Sequence, residues 1–524
     1  MKYIIGQNRT QLNIFPVSLD ESISKDNEVR IIDLFVESLD VCSYGFKVDF
    51  VEHGRPAYHP GDLLKLYIYG YLNKTRSSRD LEKECYRNIE VMWLLKGLKP
   101  DHNTISNFRR DNPEPIRKVF KATVQTAKLF KLIGGKLLAG DSTKLRAQNS
   151  RKNNFNEHKI KQHLDYIDRK IEEYSNILAN GDGESEIITK KIQKQLERKQ
   201  KYEQLSHQLK ETGQDQISTS DTDSRQIIIR NGITEVAYNV QTTVDSENNL
   251  LIDYKVTNNN DSIAMSEMVG RAAEIVENTD FTALYDKGYH TASELKAVQE
   301  MGIETLVAIP DPASVAPDEN YNSINFKYDK ERDLYICPQG HSLTTNGTWY
   351  NKSKKKNRNV IRIRHFSTKE CLNCPVKQIC TRSEGSRLIE RSEYAEFTEQ
   401  NRKNMEAKKD IYKRRQAIVE HPYGTIKRQW GFYYILTKHG INRASADAGF
   451  MFVAYNLRRL INIIGFEAFR SYLKPLFSCF LTILKAISSI LRHFLSPWHL
   501  SESFERNFYY SAKCLIFDWN LKNV

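Results

Sequence analysis

The sequence Leu137-Leu-Ala-Gly-Asp141-Ser-Thr-Lys144 decides the fold, because its first half predicts a buried strand that ends on an acid. A second stretch of the same kind, Ala283-Leu-Tyr285, ends on Asp286. Acids at the ends of buried strands are unfavourable unless another group compensates their charge. Asp141 and Asp286 are therefore the first candidates for a functional site.

Strand and helix patterns alternate between and after these two acids. Residues 155–210 carry two apolar stripes at spacings of three and four, split by Asn180-Gly-Asp-Gly183, which predicts an antiparallel helical hairpin. Ile233 to Val256 alternates about a polar turn and predicts a β-hairpin. A strand, a β-hairpin and then a βαβ unit predict an α/β RNase H-like core with a mixed sheet, into which the helical hairpin is inserted.

The same patterns divide the chain into five parts. The predicted parts are an N-terminal helical DNA-binding domain (1–130), the first part of the RNase H-like core (131–310, with the hairpin at 155–210), a small β-rich cysteine insertion (311–400), the C-terminal core helices (401–465) and an amphipathic helical tail (466–524).

Four arginines lie near the ends of predicted helices in the N-terminal domain. Arg76, Arg79, Arg109 and Arg110 suit a helix-turn-helix-like contact with DNA. A small helical bundle with a solvated basic face is the equal alternative.

The charge of the chain favours a polyanionic partner. Its 78 basic and 65 acidic residues give a net charge of +13, and Lys or Arg that neutralise phosphates release condensed counterions. Eight cysteines in 524 residues do not suggest a secreted disulfide scaffold, and the N-terminus predicts no signal peptide. The apolar stretch from Leu476 to Leu495 is interrupted by polar and charged residues, so no membrane span is expected. These observations predict a cytoplasmic protein.

Paired carboxylates at strand ends suit a divalent cation. Two facing carboxylates raise each other's pKa unless a cation neutralises them. Mg²⁺ accepts one or two carboxylates, keeps several waters and binds substrate phosphate, and a pair of ions about 4 Å apart can activate both oxygens of a phosphodiester exchange. From spacing alone, capping or salt-bridged aspartates remain the commoner interpretation.

Three motifs carry a family resemblance. Gly140-Asp141-Ser-Thr-Lys144, Tyr285-Asp286-Lys-Gly-Tyr289 and Tyr412-Lys-Arg-Arg415 with Glu420-His-Pro-Tyr-Gly-Thr-Ile-Lys427 resemble the DDE transposases of bacterial insertion sequences. The subgroup has an N-terminal helical domain, a β-rich insertion and a Tyr–Arg–Glu–Lys signature. The N-terminal words Arg55-Pro-Ala-Tyr-His-Pro60 and Ser77-Ser-Arg79, and Tyr455-Asn-Leu-Arg-Arg459, are similar to the same family. The resemblance covers about residues 1–465, in order.

The resemblance implies roles for individual residues. Asp141, Asp286 and Glu420 would be catalytic and would bind Mg²⁺ or Mn²⁺, while Tyr412 and Lys427, with Arg415 beside them, would hold DNA next to the cut. Water would attack at the element end, and the freed 3′-OH would then attack target DNA. On a helix, positions 412, 416, 420, 423 and 427 share one stripe.

The third acid stays open at the level of sequence. Pro422 predicts a kink just after Glu420, which would weaken the alignment of Lys427. Asp447, in Ala444-Ser-Ala-Asp447-Ala-Gly449, is a rival, and Glu420 is preferred to it. Asp221 and Asp223 predict an Asx-type turn, although a supporting position beside the site is the alternative. Asp261 is predicted to cap the helix that follows it.

Four cysteines form a further cluster. Cys337, Cys371, Cys374 and Cys380 are spaced C-x33-C-x2-C-x5-C, and four thiolates around a tetrahedral Zn²⁺ would hold together a small insertion. The cluster resembles a cysteine-rich insertion of these transposases. Structural zinc and reduced, metal-free cysteines are equal alternatives.

The function expected from the resemblance is metal-dependent strand cleavage at insertion-sequence ends and strand transfer into target DNA. The alternatives are a domesticated or inactive transposase-derived DNA-binding protein, and a metal-dependent nuclease without strand transfer. The expected partners are double-stranded DNA, as terminal inverted repeats and target, and a second copy of the chain in a dimer on DNA. Such a protein would be associated with the bacterial nucleoid.

Overall fold

The computed structural model describes residues 18–47, 57–181, 185–230, 233–311, 316–353, 360–437 and 439–474. The chain divides into two compact units. Unit 1 comprises Met1–Gly134, Ser142–Asn259 and Glu420–Val524, and unit 2 comprises Gly135–Asp141 and Asn260–Val419. Most of the predicted tail, including Leu476 to Leu495, lies outside the described residues, as do Arg55 and Pro56.

Helices make up both ends of the described chain, and most strands lie between them. The helices are α1 (Val29–Glu37), α2 (Pro60–Leu72), α3 (Ser78–Arg87), α4 (Ile89–Leu94), α5 (His102–Asp111), α6 (Pro113–Leu129), α7 (Glu157–Ala179), α8 (Ser185–Thr212), α9 (Met265–Val276), α10 (Ala292–Glu300), α11 (Lys377–Cys380), α12 (Ala395–Ala407), α13 (Lys409–Lys413), α14 (Arg415–Tyr423) and α15 (Ile441–Ile464). The strands are β1 (Leu137–Arg146), β2 (Asn154–Phe155), β3 (Ile217–Ser218), β4 (Arg225–Arg230), β5 (Ile233–Asp245), β6 (Leu251–Thr257), β7 (Thr282–Tyr285), β8 (Glu304–Val307), β9 (Lys327–Asp329), β10 (Leu334–Ile336), β11 (Ser342–Leu343), β12 (Tyr350–Ser353), β13 (Val360–Phe366) and β14 (Ile389–Ser392).

The main sheet is mixed. Its strand order is β4-β5-β1-β7-β8, with β6 paired to β5. In unit 1, β5 is antiparallel to β4 and β6, and the β5–β6 pair is the predicted β-hairpin. In unit 2, β1, β7 and β8 are parallel. A mixed sheet with helices of this kind fits the predicted RNase H-like core.

Unit 1 has a helical core built around α15. The ring of Tyr67 on α2 stacks 4.7 Å from that of Phe450, and the ring of Phe120 on α6 meets that of Phe452 at 6.4 Å. Gly449 permits close approach, because a Cβ there would lie 2.6 Å from the hydroxyl of Tyr254 and 2.9 Å from Ile116. Helix α5 begins as its sequence predicts, since the carboxylate of Asp101 accepts from the amides of Asn103 and Thr104.

Two long helices, α7 and α8, occupy the segment for which a helical hairpin was predicted. An apolar cluster at their base contains Phe155, Ile160, Leu205, Leu209 and Ile217, and Leu164 and Tyr202 pack against it. The predicted coiled-coil positions therefore supply the packing at the base of this helix pair.

Unit 2 carries two small antiparallel sheets in the region predicted to be β-rich. Their strand orders are β11-β10-β9 and β12-β13-β14. Phe326, Tyr335, Leu343, Phe366 and Ile389 form one apolar cluster there, and Cys337 and Cys380 pack against it. Among the described residues of the whole chain, no helix is both long and apolar enough to cross a membrane.

Candidate active site

Asp141 and Asp286 follow equivalent positions of two neighbouring parallel strands. The register pairs Leu137 with Thr282 and Ala139 with Leu284. Continued by two residues, the same register sets Asp141 opposite Asp286. The two neighbouring strands therefore bring together the two acids that the sequence singled out. Asp286 directly follows β7, but Asp141 does not end its strand as predicted, because β1 continues to Arg146.

Gly140 allows this approach. A Cβ on Gly140 would lie 2.1 Å from ring atoms of Tyr285, far inside van der Waals contact. Only glycine lets the buried Tyr285 ring lie against β1 immediately before Asp141. The contribution of Tyr285 was missed at the level of sequence, although glycine next to an acid in an apolar strand was a usable signal.

Asp286 also shapes its own turn. Its Oδ1 accepts a hydrogen bond of 2.8 Å from the amide of Gly288 and so caps the 3-10 turn Lys287–Tyr289. Asp286 is thus a capping residue, as the commoner interpretation of such aspartates expected. The capping bond uses Oδ1 and does not involve Oδ2. A Cβ added to Gly288 would lie 3.9 Å from the Cβ of Asp261, so Asp261 is a neighbour of this turn that sequence reasoning did not place there.

Arg415 contacts Asp141 on β1, and Tyr412 contacts Tyr285, the last residue of β7. Nη1 of Arg415 lies 3.3 Å from Oδ2 of Asp141, and both side chains are largely buried. The hydroxyl of Tyr412 donates to the carbonyl oxygen of Tyr285 at 3.2 Å. Two residues of the predicted signature are thereby brought to the two strands that carry the acids.

The electrostatics couple these four groups. Burial acts to lower the pKa of Arg415, but the nearby Asp141, Tyr412 and Asp286 outweigh it, so that pKa is raised. Burial raises the pKa of the Tyr412 hydroxyl, against the opposing effect of Arg415, and Asp286 and Asp141 raise it further. The site therefore holds its positive charge firmly beside the two carboxylates.

The donor set fits a divalent cation. Carboxylate oxygens on two neighbouring segments are hard ligands, and Mg²⁺ typically takes one or two of them. The guanidinium against Asp141 shows that positive charge is accommodated at this position. Within the described ranges, no group of three or more His, Cys, Asp or Glu is arranged to hold a metal.

Glu420 lies on α14, and Pro422 does not break that helix. The helix continues through Pro422 to Tyr423 and passes into a π-helical turn, Gly424–Gln429. The helix therefore changes its hydrogen-bonding pattern just after Pro422, which lacks an amide to donate, and the predicted kink stays a prediction. The predicted single stripe is interrupted, since Tyr412 belongs to α13 and a turn at Arg414 separates it from α14. The side chain of Glu420 is exposed.

Lys427, in the π-helical turn, contacts β1 within unit 1. Its Nζ donates to the carbonyl oxygen of Lys144 at 3.0 Å. Lys144 lies three residues beyond Asp141 on the same strand. The signature lysine thus binds the backbone of the strand that carries the first acid.

Asp447 is buried in an ion-pair network rather than available as a third ligand. It accepts hydrogen bonds from the Tyr71 hydroxyl, from Nη1 of Arg109 at 3.3 Å and from the amide of Leu436 at 2.6 Å, and Nη1 of Arg76 lies 3.7 Å away. Both of its oxygens are committed to this network. Asp447 therefore serves this buried network, and Glu420 stays the prediction for the third acid.

The same network corrects a DNA-binding prediction. Arg109 is buried with Asp447, and its guanidinium lies 5.2 Å from the ring of Tyr67. Arg76 is buried as well. The prediction that Arg109 contacts DNA is wrong, because its charge is compensated in the interior of unit 1. Arg110 and Arg79 are exposed, and Arg110 pairs with Asp111 at 2.6 Å.

The remaining acids have structural roles. Asp221 accepts from the Tyr238 hydroxyl at 2.5 Å, from the amide of Gly440 at 3.0 Å and from that of Asp223 at 3.4 Å, the last being the predicted Asx-type contact. Asp261 opens a 3-10 turn instead of capping α9, whose N-cap is Ala264. The prediction for Asp261 is therefore wrong.

The four cysteines of the insertion interact with one another. Burial raises the pKa of Cys380, Arg387 opposes this, and Cys371, Cys337 and Cys374 raise it further. The amide of His341 donates to the Cys337 sulfur at 3.3 Å. The thiols are thus close enough to influence each other's charge.

Two family models match the chain. One, described as "Transposase domain (DUF772)", matches residues 17–111, and the other, described as "Transposase DDE domain", matches residues 336–461. The second range contains Tyr412, Arg415, Glu420, Lys427 and the four clustered cysteines, whereas Asp141 and Asp286 lie outside both ranges. No curated protein matches the chain.

One solved structure bears a remote likeness to the chain. It is described as "Cryo-EM structure of piggyBac transposase synaptic complex with hairpin DNA (SNHP)", with 8% sequence identity, a TM-score of 0.29, and coverage of 92% of this chain and 84% of that one. A TM-score this low supports no conclusion about fold or partner.

The two matched domains define the class: the chain is a DNA transposase. More specifically, its C-terminal matched domain is that of DDE transposases, enzymes whose chemistry depends on divalent metal.

Proposed function

We propose that Asp141, Asp286 and Glu420 are the catalytic acids of this transposase and that they bind Mg²⁺ or Mn²⁺. The observation that carries the proposal is the parallel register that sets Asp141 opposite Asp286, with Arg415 held against Asp141. The interior position of Asp447 supports Glu420 as the third acid, because it removes the rival.

The chain's own residues position the DNA. When bound, divalent ions activate the attacking oxygen and stabilise the leaving oxygen of a phosphodiester. Arg415, which lies against Asp141, would present its guanidinium donors to a phosphate oxygen. Tyr412, fixed through the carbonyl of Tyr285, and Lys427, fixed on β1, supply two further contacts to the backbone next to the cut.

The proposed substrates are the terminal inverted repeats of the element and a target duplex. The net charge of +13 supports a polyanionic partner, and exposed Arg110 is a proposed phosphate contact. We assign DNA end recognition to the helical domain at 1–130, catalysis to the core segments 131–310 and 401–465, and assembly on DNA to a dimer associated with the nucleoid.

For the insertion at 311–400 we propose a structural Zn²⁺ held by Cys337, Cys371, Cys374 and Cys380. The mutual electrostatic influence of the thiols and the amide that Cys337 receives from His341 support this assignment. Amide–sulfur bonds stabilise thiolates, which are the form that binds zinc.

The test is cleavage and strand transfer with labelled element ends, purified protein and Mg²⁺. Asp141→Asn, Asp286→Asn and Glu420→Gln are each expected to abolish both steps, whereas Asp410→Asn, at an exposed acid on α13, retains them. If Asp141→Asn or Asp286→Asn cleaves as well as the parent, the proposed site is wrong. If the parent cleaves but never joins ends to target DNA, the protein is a nuclease without strand transfer.

A further inference from the structure

Residues 431–435, which we call the tyrosine loop, contain two consecutive tyrosines that are partly exposed. Phe432 and Ile435 are buried, while Tyr433 and Tyr434 are 49% and 40% exposed. Single exposed aromatics are common on protein surfaces, but here two consecutive residues between buried anchors each expose an aromatic ring.

The backbone of the tyrosine loop is fixed to β1. The carbonyl oxygen of Tyr433 accepts from the amide of Arg146 at 3.0 Å, and the amide of Ile435 donates to the carbonyl oxygen of Arg146 at 2.8 Å. Nε2 of Gln148 also donates to the carbonyl oxygen of Ile435 at 3.2 Å. The backbone that carries the two rings is therefore held against β1 before any ligand arrives, which lowers the entropic cost of binding.

Arg76 fixes the loop from inside unit 1. Its Nη1 donates to the carbonyl oxygen of Tyr434 at 3.0 Å, and its guanidinium lies 4.2 Å from the ring of Phe432 and 4.9 Å from that of Tyr434. The guanidinium of Arg76 holds the ring of Tyr434 in place from one side. Tyr434 as a residue nevertheless stays 40% exposed.

The surface beside the rings is positive. The side chains of Arg146 and Arg151 are 56% and 51% exposed, and both face one acid, Glu235, at 3.4 Å and 4.0 Å. Two cations share one anion there, which leaves positive charge next to exposed rings. Arg428, in the π-helical turn just before the loop, is exposed as well.

We propose that the tyrosine loop binds unpaired DNA bases, which stack on Tyr433 and Tyr434 while the flanking arginines contact the phosphates. Aromatic rings combined with a positive groove are the recurrent design for single strands, because every base has a π-face and the backbone supplies the charge. In a duplex these faces are covered by neighbouring base pairs, so the rings select unpaired nucleotides. The inference rests on the proposed function for its DNA partner, since Arg146 ends β1, the strand that carries Asp141.

The test measures binding of the full chain to a fluorescein-labelled oligothymidine of roughly 12 nucleotides and to a duplex of equal length, by fluorescence anisotropy. A variant with Tyr433→Leu and Tyr434→Leu keeps apolar bulk but has no aromatic face, and we expect it to lose about tenfold or more in oligothymidine affinity. Duplex affinity is expected to stay unchanged. A variant with Tyr433→Phe and Tyr434→Phe is expected to bind both DNAs as the parent does.

Tyr350→Leu, at an exposed tyrosine on β12, is the matched control and is expected to change neither affinity. The inference is overturned if the leucine variant binds oligothymidine like the parent, or if it loses duplex binding to the same extent. Because the readout is binding, it is separate from the cleavage test: a cleaving Asp141→Asn variant refutes the proposed catalytic site and leaves the tyrosine loop to be judged on affinity.

Discussion

Nη1 of Arg415 lies 3.3 Å from Oδ2 of Asp141, so the first proposed catalytic acid is paired with a cation of its own chain. Both side chains are largely buried, which makes the pair stronger than an exposed one and makes an unpaired Asp141 unfavourable. A metal ion that binds through Oδ2 of Asp141 would therefore compete with Arg415. This relationship has a measurable consequence for metal binding.

Replacement of Arg415 is expected to lower the stability of the metal-free protein and to increase the rise in Tm that Mg²⁺ causes. Arg415→Ala removes the cation that compensates Asp141 and Asp286, at an expected cost of about 1–3 kcal/mol in the free energy of unfolding without metal. The rise in Tm on adding Mg²⁺ should then exceed that of the parent, because the ion restores the missing charge. Arg414→Ala, one residue away and exposed, is the control. Equal Mg²⁺-induced shifts in Arg415→Ala and the parent would contradict the prediction.

Gly140→Ala is expected to destabilise the protein strongly. The added Cβ would lie 2.1 Å from the Tyr285 ring, so β1 or the ring must move, at a cost of about 1–3 kcal/mol or more. Urea unfolding measures the change. Gly424→Ala is the control, because nothing lies within 4 Å of the position that its Cβ would take. A Gly140→Ala protein as stable as the parent would contradict the prediction, because it would show that the Tyr285 ring moves aside at little cost in free energy.

Arg109 and Arg110 are neighbours in sequence with opposite expected behaviour. Arg109→Ala leaves Asp447 short of a buried partner and is expected to cost about 3–5 kcal/mol, which lowers Tm without a specific effect on DNA affinity. Arg110→Ala, at an exposed position, is expected to leave Tm nearly unchanged and to weaken duplex binding with a smaller salt dependence. If the Tm of Arg109→Ala equals that of the parent, the prediction that the buried network of Arg109 and Asp447 stabilises the fold is wrong.

Zinc content tests the assignment of the cysteine cluster. The purified chain is expected to contain one equivalent of zinc, and a variant with Cys371→Ser and Cys374→Ser is expected to contain none, because two of four thiolates are lost. Cys85→Ala is the control, since Cys85 is buried on α3 and burial raises its pKa to about 12. A parent protein without zinc, in which all four thiols react with an alkylating agent, would establish the reduced, metal-free alternative.

The sequence by itself determined the features that depend on neighbouring residues. An apolar run followed by an acid predicts a strand end, and this is confirmed for Asp286, whereas β1 continues past Asp141 to Arg146. The pattern still located both strands, because burial and charge are local in it. The alternation of Ile233 to Val256 predicted the β5–β6 hairpin for the same reason. Chain order then predicted a mixed α/β sheet, since short connections leave few arrangements.

Only the tertiary structure decided which distant side chains share an environment. Asp447 and Arg109 are 338 positions apart, and each in isolation suits a metal ligand or a DNA contact. Their mutual neutralisation is a property of packed helices that no local pattern records. Pro422 shows the same limit, because a rule about one missing amide predicts an irregularity, whereas only the folded chain shows that it takes the form of a π-helical turn at Gly424–Gln429. Local preferences amount to about 1–3 kcal/mol, and long-range packing in the folded chain is large enough to override them.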